Sequence, residues 1–449
     1  MPPQLRQRTS RVKPLSYAPS SHTSSIQDHL LMEDIASPTS STPPVYTIDL
    51  SLPPCERYVQ VTTDYKHILG QMPCLYDETV EHLRLPAWFF HFLGRLLLRR
   101  LYSDEQTAEL KGISAACGLP MYLLVAYNVF LDLLMGCTSG GVMVADRGGP
   151  TMMHFRTLDW SMPLLRQVIV QFDFVESPGG EVIARTIGYV GFVGVLTGVR
   201  KGMSASLNFR PYHNAHGLSW TNIRYYWNTL MVLMGKRPSI STILRDCLLP
   251  RPSEHRLRRR LRKHRDEEGD SLTAAALAPY TPAFVDKVLP TMTTSVAYLI
   301  FCTGDETLIL EKDFRSAKVL RSSSFINTTN HDVSFEATSD PQAAQSQAGH
   351  TQARAHGFLQ ASMQEVVDES IMRKICLRNK WLEWSEDQTR KMALGLHTAA
   401  GVRLEQLKEW LQAYPVCNEV THFVCVMNPR EGAFRWVKRF DEGEIEFQY

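Results

Sequence analysis

The 449-residue chain has no C-x-x-C pair and no zinc-like grouping of cysteines. Its nine cysteines are an odd number, scattered at positions 55, 74, 117, 137, 247, 302, 376, 417 and 425. That spacing argues against a secreted disulfide framework and for mostly free, buried thiols. Long hydrophobic runs are also lacking. No stretch reaches the roughly 18 uncharged apolar residues that a spanning helix needs. The best candidate, PMYLLVAYNVFLDLLMG at 120–136, carries Asn128 and Asp132, so a buried helix is expected. The N-terminus, MPPQLRQRTSRVKPLSYAPSSHTSSIQDHLL, lacks an apolar core of signal-peptide length. Excess charge of one sign is missing too. A net charge of +2 leaves no strongly basic surface for a dedicated nucleic-acid binder. There is no G-x-S-x-G elbow, P-loop, H-E-x-x-H or internal repeat.

What is present reads as a globular chain, 44% apolar and 21% charged. Residues 1–44, with SPTSSTPP at 37–44, are expected to form a disordered tail. YTIDLSL alternates as a strand before Pro53-Pro54. Helices are expected over 76–102, 104–116 and 121–135, the second capped at Ser103 and the third set off by Gly118-Leu119-Pro120. From 137 to about 210 the period changes to two. QVIVQFDFV at 167–175 and EVIARTIGYVGFVGVLTG at 181–198 read as an antiparallel meander. Helices return over 219–249, a second hairpin lies at 293–313, helices follow at 363–381 and 386–412, and a strand pair ends the chain. Two insertions interrupt this order: the basic-then-acidic block at 251–270 and the low-complexity stretch at 338–357. Such an order fits packed sheets covered by helices.

Chemistry-bearing candidates are few. His213 and His216 have no acidic or cysteine neighbour in sequence and are weak metal ligands, so no metal is expected. Gly188, Gly191, Gly194 and Gly198 lie in a strand-like run, where small residues more often permit close backbone approach than cradle a phosphate. No cofactor is expected. Cys137 stands where a helix ends and a hairpin begins, an odd place for an inert core thiol. The hairpin's return strand carries Arg156 and Asp159, so its closure can bring both beside the cysteine. An arginine near a thiol favours the thiolate. On spacing alone, an inert thiol beside a surface Arg–Asp pair remains equally open.

The segment CTS followed by HFRTLD resembles the Cys-Thr-Ser and His-Gly-Arg-Asn-hydrophobic-Asp stretch of the acid ceramidase and N-acylethanolamine-hydrolysing acid amidase family. These are N-terminal nucleophile hydrolases related to the bile-salt hydrolases. DLSLPPCERY, SDEQTAELKGISAACGLPMYLLVAYNVF, IGYVGFVGVLTG, SLNFR, TTNHD and THFVCVMN resemble family blocks in the same order, so the resemblance covers roughly 45–430. It implies an α+β fold: a four-layer αββα sandwich over 137–449, flanked by a helical segment at 45–136. It also implies a precursor that cuts itself between Gly136 and Cys137. The new α-amine would then activate the thiol for attack on an amide. The two fragments would stay together.

By this resemblance Asp159 holds the amine, and Arg156 stabilises the cysteine region. Asn208 and Asn330 stand as donors around the oxyanion, and Arg373 is the nearest counterpart of a late active-site arginine. The substrate implied is a long-chain N-acyl lipid: ceramide first, an N-acylethanolamine second. A catalytically silent lipid-binding homologue is the runner-up. Phe209 replaces a glutamate of the lysosomal relatives. Helix 86–102 offers either a membrane-facing surface or an ordinary buried helix. With no signal peptide seen, a cytoplasmic or peripheral membrane location and a near-neutral pH optimum are expected. The sequon at Asn327 sits so close to Asn330 that it is expected to be unmodified.

Overall fold

The period-two runs after Cys137 fold into two sheets that lie face to face in the computed structural model. The structure describes residues 41–81, 87–130, 136–146, 148–214, 219–250, 279–337 and 357–445. The larger sheet holds eight strands in the order β1-β4-β5-β6-β7-β8-β9-β10. They are β1 Val45–Asp49, β4 Ile169–Val175, β5 Val182–Tyr189, β6 Thr197–Arg200, β7 Met203–Asn208, β8 Ala297–Cys302, β9 Thr307–Lys312 and β10 Ala317–Ser322. Among the described strands of this sheet only the β1–β4 pairing is parallel; β1 thus joins the edge of a sheet built from later residues. The smaller sheet runs β11-β2-β3-β12-β13, from β11 Phe325–Thr328, β2 Gly136–Val144, β3 Thr151–Asp159, β12 Thr421–Asn428 and β13 Ala433–Arg439.

Helices cover the outer faces. Ile240–Leu248 packs on β6 and β7 of the larger sheet, and Gly357–Ala393 on β2 and β11 of the smaller one. The order is helix, sheet, sheet, helix, as expected, with the helical segment before Cys137 packed alongside. β2, β3, β7, β8, β9 and β12 are buried almost throughout because both their faces are covered. Close approach of the sheets depends on Gly141 in β2, and close pairing of β2 with β11 in its own sheet on Gly140. A Cβ at Gly141 would sit 1.9 Å from Thr307 Oγ1 of β9, and one at Gly140 would sit 2.1 Å from the Ile326 carbonyl. His154 of β3 spans the gap, bonding Ser204 Oγ at 2.9 Å and Ser206 Oγ at 2.8 Å on β7.

Several boundaries depart from the sequence expectation. The run 181–198 is not one strand: β5 ends at Tyr189, Gly191 takes φ +89, and β6 starts at Thr197. Gly194 and Gly198 there admit Ser241 and Leu248 of the helix above, which is the close approach small residues permit. The expected break near 382–385 is absent, because nothing in WLEWSED stops a helix. Gly357–Ala393 runs on until Gly395 at φ +66, and Leu404–Gln412 is a separate helix. Strands β10 and β11 carry no clear alternation and were not expected. Among the described parts of 76–102, Met72–Glu81 and Ala87–Leu97 are helical; 82–86 lie outside the described residues, as do 131–135 of the third helix. The expected tail (to residue 40) and both insertions, apart from Gly357, also fall outside them.

Candidate active site

Cys137 is the second residue of β2 and is fully buried. The β2–β3 register sets Gly136 opposite Asp159, Cys137 opposite Leu158 and Ser139 opposite Arg156. This hairpin closure brings the Arg156 Nη2 group to 3.3 Å from Cys137 Sγ, with the guanidinium braced on the Leu196 carbonyl. The Sγ also lies 3.9 Å from the Leu207 carbonyl. Burial pushes the thiol's pKa up, and the Arg156 charge pulls it back.

The backbone nitrogen of Cys137 donates to Asn330 Oδ1 at 2.9 Å. Arg373 Nη2 donates to the same oxygen at 3.0 Å, while its Nη1 meets Asp159 Oδ2 at 2.5 Å. Thr421 Oγ1 donates to the other Asp159 oxygen at 2.7 Å. Burial raises the Asp159 carboxyl, and Arg373 and Thr421 oppose that rise. Cys137, Arg156, Asp159, Asn330 and Arg373 therefore form one continuous buried network. Asn208 flanks it, accepting from Ser139 Oγ at 2.7 Å.

The asparagine amides face elsewhere than expected. Asn208 Nδ2 donates to the Thr328 and Thr329 carbonyls at 3.2 and 3.3 Å. Asn330 Nδ2 donates to the Phe209 carbonyl at 2.8 Å, and its backbone nitrogen to Ser370 Oγ at 2.7 Å. In this arrangement Asn330 acts as an acceptor for the Cys137 nitrogen, not as a free oxyanion donor. The cation nearest the sulfur is Arg156.

Two members of the network escaped the sequence reading. Ser370 lies one turn before Arg373 on the same helix, an i, i+3 pair that faces one loop. Thr421 lies opposite Asp159 in the β12–β3 register. His213 does have an acidic partner after all: Asp313, 100 residues away, bonds its Nδ1. His216 lies outside the described residues. Among the described residues no group of three or more His, Cys, Asp or Glu could hold a metal. Asn327 is buried and donates through Nδ2 to the Lys374 carbonyl at 3.0 Å, so a glycan has no room there in the fold.

A family model described as the beta subunit of N-acylethanolamine-hydrolyzing acid amidase matches residues 41–101. The Caenorhabditis elegans N-acylethanolamine-hydrolyzing acid amidase is 32% identical over 232 residues, which are 49% of this chain and 60% of that protein. The chain is thus similar to an N-acylethanolamine-hydrolyzing acid amidase over part of its length. The acid ceramidase of Heterocephalus glaber is 27% identical over 186 residues, 37% of this chain and 45% of that enzyme. The human acid ceramidase is 26% identical over the same length. The chain thus spans between about half and three fifths of the relatives it matches. A solved structure of the Caenorhabditis elegans amidase ortholog aligns with 66% of this chain and 93% of its own, at 22% identity and a TM-score of 0.38.

Proposed function

We propose that this chain hydrolyses the amide bond of a long-chain N-acyl lipid, with Cys137 as nucleophile once the bond before it is cut. The observation that carries the reading is the double hold on Cys137: Sγ at 3.3 Å from Arg156 and the nitrogen on Asn330 Oδ1. A buried strand N–H needs an acceptor in any case; here that acceptor is a side-chain oxygen which Arg373 also holds in place. In the self-cleavage step, Sγ attacks the Gly136 carbonyl carbon, and the Cys137 nitrogen leaves as a free amine, taking up a proton. Water then hydrolyses the thioester, leaving a Gly136 carboxylate. The ordinary pKa of an α-amine, about 7.7–8.0, suits a base near neutral pH.

In turnover, that amine takes the thiol proton and the thiolate attacks the substrate carbonyl. The tetrahedral oxyanion collapses, the leaving amine receives the proton from the Cys137 ammonium, and water releases the fatty acid. Arg156 lies where it steadies the anionic sulfur. Asn330 and the Arg373–Asp159 pair hold the amine. Ceramide and N-acylethanolamines both fit this chemistry; the 32% identity to the nematode amidase favours keeping the second beside the first.

The fragments stay joined after the cut. Asn128 supports this, bonding Gly191 O at 2.9 Å and receiving Val193 N at 2.8 Å across the future break. Contact with a membrane surface is supported by the helix Ala87–Leu97, which exposes Trp88, Phe89, Phe92 and Leu96. No described helix is long and apolar enough to cross a membrane.

Intact-mass analysis and assays with labelled ceramide and N-palmitoylethanolamine test the reading together. Wild-type protein should separate under denaturing conditions into two fragments meeting at 136/137 and should release fatty acid. Cys137→Ala should stay one chain with background hydrolysis. A full-length wild type that is still active would show that the amine-activated mechanism is wrong.

A further inference from the structure

The segment 208–210 at the end of β7 and the segment 328–332 after β11 run side by side, one from each sheet. They carry the two site asparagines. Three sets of bonds join them. Asn208 Nδ2 reaches Thr328 O and Thr329 O, and Asn330 Nδ2 reaches Phe209 O at 2.8 Å. The third is an ion pair: Arg210 Nε donates to Asp332 Oδ1 at 2.9 Å, and Nη2 to Oδ2 at 2.6 Å. Arg210 lies two residues beyond Asn208, and Asp332 two beyond Asn330.

Everything around the pair holds it still. Arg210 is buried, with its guanidinium 4.8 Å above the Tyr212 ring. Tyr298 OH donates to Asp332 Oδ1 at 2.9 Å and bonds Tyr212 OH at 2.8 Å; the Tyr212 hydroxyl also accepts from the Asp332 nitrogen. Tyr298 is the β8 partner of Asn208 in the sheet register. Asp313 lies 3.7 Å from Arg210 Nη1 on the remaining side. An apolar pair of equal volume would be about as stable as a buried ion pair. What it would lack is the two-point fork, which fixes both distance and angle.

We infer that Arg210 and Asp332 are a positioning pair that sets the Asn330 side chain against the Cys137 nitrogen. Neither bonds the sulfur, whose partners are Arg156 and the Leu207 carbonyl. They act through Asn330, whose Oδ1 is shared between Cys137 and Arg373. The inference rests on the reading of Cys137 as an amine-activated nucleophile. If Asn330 slides, the amine loses its acceptor and its alignment with the thiol. A misplacement of about 1 Å at such a site can cost on the order of 100-fold in rate.

The test compares wild type with Arg210→Lys, Asp332→Asn and the double variant Arg210→Met/Asp332→Leu. The double variant guards against misfolding, since it removes both charges of the fork together and leaves Asp313 its His213 partner. Each protein is followed by intact mass for cleavage at 136/137, by kcat and KM on whichever lipid amide the wild type hydrolyses, by a pH–rate profile and by urea midpoint. The double variant should keep a near wild-type midpoint. Its cleavage and kcat should fall roughly 10- to 100-fold while KM moves less than about threefold, as expected for lost alignment. The limb of the pH profile that reports the amine should also shift. Wild-type cleavage, kcat and pH profile in the folded double variant would overturn the positioning role alone. A wild type that neither cleaves nor hydrolyses would overturn the Cys137 reading, and the positioning role with it.

Discussion

Arg373 touches both ends of the site, holding Asp159 with one arm and Asn330 with the other. Removing a charge from a buried pair strands its partner without water. Such losses cost about 3–5 kcal/mol. Arg373→Met should therefore lower stability by about that much in urea denaturation, and it should abolish cleavage at 136/137. Arg373→Lys should recover part of the stability but less of the cleavage, because a lysine's single nitrogen lacks the two spaced, planar arms that reach Asp159 and Asn330 separately. Equal midpoints for wild type and the Met variant would remove Arg373 from the network. Cys137, Arg156 and Asp159 were legible in the sequence because one hairpin joins them, and a hairpin's register follows from its turn. Asn208, Asn330 and Arg373 came from resemblance; in the structure Asn330 and Arg373 join the network and Asn208 flanks it. Thr421 was not legible: it stands 262 positions from Asp159, and only the sheet order makes them neighbours.

At the scale of elements, the strands with clear alternation were readable, and so was the serine cap at 103, which accepts from a nitrogen three residues on. The edges were not. β10 is half exposed on a sheet edge, and its polar pattern AKVLRS carries little signal. The long helix hid its extent because its core contacts lie on different elements along its length. Gly140-Gly141 show the limit another way. Read in sequence, they are merely tolerated in a strand; in the fold Gly141 admits Thr307 of the facing sheet and Gly140 admits the neighbouring strand β11. Gly141→Ala would drive a Cβ into Thr307, at 1.9 Å from its Oγ1 in the present backbone. Overpacking of this kind costs roughly 1–3 kcal/mol. A lower urea midpoint is expected, with slower cleavage, since β2 also carries Cys137. An unchanged midpoint would mean that the sheets part more easily than their packing implies.

Across the whole molecule, burial also sets how the fold answers to pH. His154 lies between the sheets and His422 is closed in by Tyr189 and Trp160. Burial, with Arg156 beside the first and Arg166 beside the second, pushes each imidazole down to about 3 from an ordinary 6.5. Both are therefore neutral in the folded chain through the acid range, while the unfolded chain protonates them below about 6.5. The unfolded state then binds more protons, so stability rises with pH across the window from about 3 to 6.5. Between pH 7 and pH 5 the loss is roughly 2 kcal/mol for each histidine, about 4 together. The carboxyls of Asp159 and Glu109, raised by burial, work in the opposite sense: a raised carboxyl pKa favours the fold as pH falls. The histidine share is isolated by comparing wild type with His154→Gln/His422→Gln, whose amides keep hydrogen-bonding capacity without titrating. Urea midpoints should fall from pH 7 to pH 5 more steeply in the wild type than in the double variant. Such a difference would show that the two buried histidines weaken this fold as pH falls. If the two proteins lose stability in parallel, the buried histidines are not what weakens this fold in acid.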